Sequence, residues 1–129
     1  GLEVAVSRRA LRVLETAGAP TFYLPAEDVR TQFLHPSKGS STWCEWKGSA
    51  TYFDLKVGDE VAQAAAWTYL EPNLQFERLR DHYSFYPGRV EACYLDDELV
   101  HPQPGGFYGG WVTSEIVGPI KGEPGSEWW

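Results

Sequence analysis

The chain has 129 residues, 43% of them apolar and 15% aromatic, with eleven basic against eighteen acidic side chains and a net charge of −7. That length and apolar content suit one ordered domain with its own core, while the negative balance repels phosphate backbones and anionic lipid, so neither a nucleic-acid nor a membrane partner is expected. No apolar run approaches the ~18 residues of a membrane span, and the two cysteines, Cys44 and Cys93, lack C-x-x-C spacing, which argues for no structural zinc, no required cofactor and a reducing, cytoplasmic setting.

Leu2, Val4 and Val6 alternate with more polar neighbours, the period of a strand with one dry face. Leu11 to Glu15 is a second extended stretch, closed by a loop through Gly18 and Pro20. Phe22 to Leu24 is a short strand stopped by Pro25, and proline followed by Glu27 and Asp28 favours one helical turn. His35 to Ser41, polar with proline and glycine, is expected to be a mobile loop.

Ala50 to Val57 and Glu60 to Trp67 form a predicted hairpin across Gly58-Asp59, a two-residue turn with glycine first. Regular pairing from Val57 opposite Glu60 sets Leu55 against Ala62, Phe53 against Ala64, Asp54 against Gln63, Tyr52 against Ala65 and Ala50 against Trp67. Pro72, with Phe76, Leu79 and Tyr83 at helical spacing, predicts a helix over 72–82. Ser84 to Tyr86 and Val90 to Leu95 read as strands, and Asp96-Asp97 as a turn before Glu98 to Val100. Residues 1–100 thus form a β domain. From 101 to 129 glycine and proline alternate with Phe107, Tyr108, Trp111, Trp128 and Trp129. So many rings are costly in water, so this arm is expected to lie on the same domain or on a second copy in a homodimer.

The segment from Thr42 to Asp54 gathers a thiol, an ammonium, two indoles, a phenol and a carboxylate. Cys44 is a candidate nucleophile or redox thiol, with Lys47 favouring the thiolate and His35 or Asp54 assisting. Against this, single cysteines are commonly buried small apolar groups, and Cys93 reads as one of them. Lys47 beside Gly48 suits an anionic ligand or a plain surface turn. Asp54 sits mid-strand, where a carboxylate needs solvent or partners such as Gln63 and Arg12, and Arg12 has Glu15 as another partner. Tyr23, Tyr52 and Trp67 supply aromatic walls.

Arg9 to Thr16 with Tyr23 to Val29, Thr42 to Gly48, Ala65 to Tyr69 with Pro72, and Phe85 to Val90 together resemble the family known as Domain of Unknown Function 427. The tail, Gly109 to Thr113 and Gly118 to Gly125, is similar to that of its extended members. The resemblance implies a mainly β fold with one or two short helices, in antiparallel Mss4-like, β-tent sheets forming a single domain. It brings no established reaction. The nucleotidyltransferase-like label attached to the family requires two carboxylates at alternate strand positions after a Gly-Ser turn. Gly39-Ser40 leads to Asp54 and then Lys56, and Gly48-Ser49 leads to Asp59 and then Val61, so neither frame holds two metals. The leading reading is a β domain that binds a small polar metabolite in a pocket lined by Arg12, Tyr23, Thr42, Cys44, Lys47, Tyr52, Asp54 and Trp67. A cysteine enzyme built on Cys44, or an interaction module docking through its arm, are the alternatives.

Overall fold

The computed structural model describes residues 2–14, 19–44, 48–104 and 109–114, with side chains except at 39–44, 48, 74 and 75. Strands β1 (Leu11–Val13), β2 (Thr21–Pro25), β3 (Leu34–Cys44), β4 (Gly48–Val57), β5 (Glu60–Pro72) and β6 (His82–Phe85) form one antiparallel sheet. Its order is β1-β2-β6-β5-β4-β3. Two short hairpins follow, β7 (Tyr94–Leu95) with β8 (Glu98–Leu99) and β9 (His101–Pro102) with β10 (Trp111–Val112). The fold is mainly β and antiparallel, as the sequence predicts, and among the described residues the helical content is confined to short 3-10 turns at Ala26–Asp28, Thr31–Phe33 and Leu74–Leu79.

Alternation along the strands divides the apolar residues between two faces. Phe22, Leu24, Ala66 and Phe85 turn to one side and pack with Val29, Leu34, Val100 and Trp111. Tyr23, Ala50, Trp67 and Tyr69 turn to the other and pack with Leu79. Because β2, β5 and β6 lie inside the sheet with both faces covered, Phe22 to Leu24 and Ala65 to Tyr69 are continuously buried rather than alternating with polar residues.

The central hairpin departs from regular pairing. Val57 meets Glu60 and Leu55 meets Ala62, but Phe53 then meets Ala66 and Tyr52 meets Trp67. Two extra β5 residues are therefore accommodated opposite Asp54, in a bulge where Ala64 takes a left-handed φ of 47°. That conformation costs about 1–3 kcal/mol. Asp54 Oδ1 offsets the cost by accepting hydrogen bonds from the Ala64 amide at 2.8 Å and from Ser37 Oγ at 2.6 Å. On the other side of the same residue, Arg89 Nη1 donates to the Ala64 carbonyl at 2.9 Å. A two-residue insertion preserves side-chain parity, so each face of β5 keeps the side the alternation assigns.

Several predicted elements change form. His35 to Ser41 belongs to β3, with an irregular register between Pro36 and Ser41, because the edge of a sheet accepts proline where an interior strand does not. Leu2 to Val6 makes only a single bridge, Ala5 with Val29, flanked by hydrogen bonds from Val6 to Asp28 and from Arg30 to Val4. The predicted helix over 72–82 is a 3-10 segment kinked at Phe76, since Pro72 ends β5 and Tyr83 belongs to β6. Leu79 still reaches the aromatic core, at 3% exposure. Of the stretch from Val90 to Leu95, only Tyr94–Leu95 is strand. Asp96 and Asp97 form the expected turn, both with positive φ.

The Ala64 amide, followed by the Ser37 hydroxyl, holds the Asp54 carboxyl below the usual carboxylate range. A lowered folded-state value stabilises the native state above the unfolded value of about 3.9, and that contribution disappears as pH falls through the folded value. Asp54→Ala is expected to lose about 1–3 kcal/mol at pH 7. In urea titrations the gap between wild type and variant should narrow by pH 3. A gap of equal size at both pH values would show that the charge on Asp54 does not hold the bulge.

Candidate functional site

The bulge places Tyr52 directly across from Trp67, and the β5–β6 register places Ser84 on the other side of Trp67. Tyr23 on β2 completes the row: its hydroxyl accepts a hydrogen bond from Trp67 Nε1 at 3.3 Å, and the two rings meet edge to face at 6.0 Å. Tyr69 lies 6.2 Å from Tyr23, and Tyr86 lies 4.6 Å from Trp67, centroid to centroid. Such contacts add about 0.5–1.5 kcal/mol per pair beyond simple burial. Tyr23 is 1% exposed and Trp67 6%, whereas Tyr52 and Tyr86 are half-buried. The cluster has a closed floor and a rim of phenols.

The rim is polar and held in place. Burial, then the neighbouring Tyr52, pushes the Tyr86 phenol above the ordinary range. Tyr86 is therefore a neutral hydrogen-bonding group at pH 7 and not a base. The Arg89 guanidinium lies 3.9 Å from the centre of the Tyr86 ring, a cation–π contact that fixes the ring's orientation.

Gly109 lies against the indole of this cluster. A Cβ there would collide with Trp67 Cη2 and stand 2.8 Å from Cζ3, so only a glycine lets the backbone lie on the indole. Trp111 anchors the segment 109–114 through its amide to the Pro20 carbonyl at 2.8 Å and through Nε1 to the Phe85 carbonyl at 3.0 Å. Its ring stacks at 5.0 Å on Phe22 in the opposite core. Gln103 ties the base of the arm down by accepting the Ala19 amide at 3.1 Å.

Of the residues singled out in the sequence, Tyr23, Tyr52 and Trp67 come together here. Asp54 follows Tyr52 by two positions, but its carboxylate is engaged by Ser37 and Ala64. Arg12 is exposed on β1 opposite Phe22, four strand spacings from β4 or about 19 Å, so an Arg12–Asp54 pair does not form. Its other predicted partner, Glu15, lies outside the described residues, as does Lys47. Thr42 and Cys44 are placed by backbone register only, opposite Ala50 and Gly48.

His35 stands opposite Asp54 on β3, so both lie about 20 Å from the Cys44 end of the same strand pair. Neither can assist that thiol. Cys93 is free, and burial raises its thiol to about 11. It packs against the core of Phe22 and Trp111. Among the described residues no group of three histidine, cysteine, aspartate or glutamate side chains could hold a metal. A shallow groove of about 280 Å³ between 3–6 and 27–30 lies apart from the aromatic cluster.

A profile described as a domain of unknown function, DUF427, matches residues 1–96. The chain belongs to the DUF427 family. No curated protein matches it. The matched residues carry Tyr23, Tyr52, Trp67, Ser84, Tyr86 and Arg89, whereas Gly109 and Trp111 lie beyond the match. Sequence reasoning did not single out Ser84, Tyr86, Arg89 and Gly109 as site residues. The block Phe85-Tyr86-Pro87-Gly88-Arg89 was nevertheless a signal, because a tyrosine and an arginine flank a turn there.

Gly109→Val should drive the arm off Trp67. We expect a loss of about 1–3 kcal/mol in urea unfolding, together with a reduced near-ultraviolet circular dichroism signal from the buried indoles. Unchanged stability and spectrum would mean that the arm yields without disturbing the cluster.

Proposed function

We propose that this DUF427 domain is a binding module that receives a small polar metabolite at the aromatic face. Tyr52 and Tyr86 form the mouth, Tyr23 and Trp67 the floor, and the strand end bearing Thr42 and Cys44 one flank. The reading rests on one observation above all: two half-buried phenols, those of Tyr52 and Tyr86, pack against the buried rings of Tyr23 and Trp67. A rim of this kind offers donors and acceptors beside an apolar surface, the composition of a small-molecule site.

Binding suits these groups better than catalysis. The neutral Tyr86 phenol is no base at physiological pH, and the Asp54 carboxylate is committed to the bulge. His35 and Asp54 stand far along the strand pair from Cys44, so a cysteine mechanism would not draw on either of them. The β-tent form of the sheet and a cytoplasmic setting belong to the same proposal.

The reading is tested by thermal-shift and native mass-spectrometric screening of neutral polar metabolites against wild type and Tyr52→Phe. At least one compound should stabilise the wild type. Removing the Tyr52 hydroxyl should weaken that compound about tenfold, the effect of one hydrogen bond, while leaving the unliganded melting temperature within a few degrees. If no compound stabilises the wild type, or if the hit binds Tyr52→Phe equally well, the mouth is not where binding occurs.

A further inference from the structure

Among the described residues, two buried hydroxyls on the aromatic face have no hydrogen-bond partner. Ser84 is completely buried and Thr21 is 9% exposed, and neither Ser84 Oγ nor Thr21 Oγ1 makes a hydrogen bond. Ser84 is paired with Trp67 across β5 and β6 and therefore shares its face. Thr21 shares the face of Tyr23, two residues along β2. Ser84 thus lies in the row of Trp67 and Tyr23, whose side chains are joined by a hydrogen bond, and Thr21 lies two residues further along β2 on the same face. Elsewhere in the sheet this chain satisfies such groups, as where Thr68 Oγ1 donates to the His82 carbonyl at 2.6 Å. Buried hydroxyls ordinarily find partners, and an exception calls for a cause.

We propose that Ser84 and Thr21 mark a polar subsite beside Tyr23 and Trp67 that takes the hydroxylated end of a small neutral molecule. This rests on the binding function proposed above and specifies the chemistry of its ligand. None of the subsite side chains carries a charge, and the surroundings are apolar rings, so an ionic group would be desolvated without compensation. A hydroxyl both donates and accepts, as serine and threonine do, and so can pair with either of them.

The probe is erythritol, a neutral four-carbon polyol, titrated into the whole chain with the Trp67 indole N–H followed by ¹H–¹⁵N NMR and assigned through Trp67→Phe. A saturable shift of that resonance is expected in the wild type. Ser84→Ala and the isosteric Thr21→Val should each weaken it about tenfold. In the absence of probe, both variants should melt no lower than wild type, because they remove a polar group that has no partner. A lower melting temperature would show that the hydroxyl already has a structural bond and would overturn the subsite. Saturable binding unaffected by either substitution would refute the subsite and leave the wider binding function standing. No saturable shift at any polyol concentration, while a screening hit still acts through Tyr52, would mean that water alone completes these hydroxyls, and the subsite would again fail. Failure of both experiments would remove the binding function as well.

Discussion

The hydrogen bonds that Asp54 accepts from the amide of Ala64 and from Ser37 set the register on which the aromatic face depends. Without the bulge, regular pairing would set Tyr52 against Ala65 and Trp67 against Ala50, leaving each ring beside a methyl group. The two inserted residues bring Tyr52 and Trp67 together instead, and with them Tyr23 and Ser84. A residue that looks catalytic in the sequence thus does its work on backbone geometry. The carboxylate is short enough to reach the amide of a left-handed residue within the same hairpin, a role that asparagine and aspartate commonly play in turns.

Trp111 and Gly109 meet different cores. The Trp111 ring extends the core that contains Phe22 and Phe85, while the glycine two positions before it covers the indole of the opposite core. The described residues 109–114 of the arm therefore pack on the sheet of their own chain. The arm clamps both faces from the β2 end of the sheet, through Pro20, Ala19 and Gln103. Indole N–H groups are rarely left unpaired when buried, and here the Phe85 carbonyl and the Tyr23 hydroxyl satisfy those of Trp111 and Trp67.

Much of the architecture is legible in the sequence because it follows from local rules. The Gly58-Asp59 turn, the strand ended by Pro25, the short turn after it and the Asp96-Asp97 turn each have a nearby chemical cause. The bulge does not, because nothing in the run Ala62-Gln63-Ala64-Ala65-Ala66 distinguishes one alanine from the next until Asp54, Ser37 and Arg89 converge on it. The segment 72–82 has helical periodicity, yet Pro72 is held by the ladder to Gly48, which leaves too little chain before β6 for more than a 3-10 turn. Tyr23, Tyr52 and Trp67 were recognisable from their side-chain types. Arg12 was not excluded until strand order placed it at the far edge, and Ser84 was invisible because a buried serine carries no sequence pattern.

Arg89 is attached to both halves of this arrangement. One end of its guanidinium donates to the Ala64 carbonyl in the bulge, and its flat face rests on the Tyr86 ring at the rim. Hairpin register and rim geometry thus share a single side chain. Truncating it would perturb both at once, and the resulting defects would not sum from separate changes at Ala64 and Tyr86. Lysine would keep the charge but could not reproduce the planar, forked attachment.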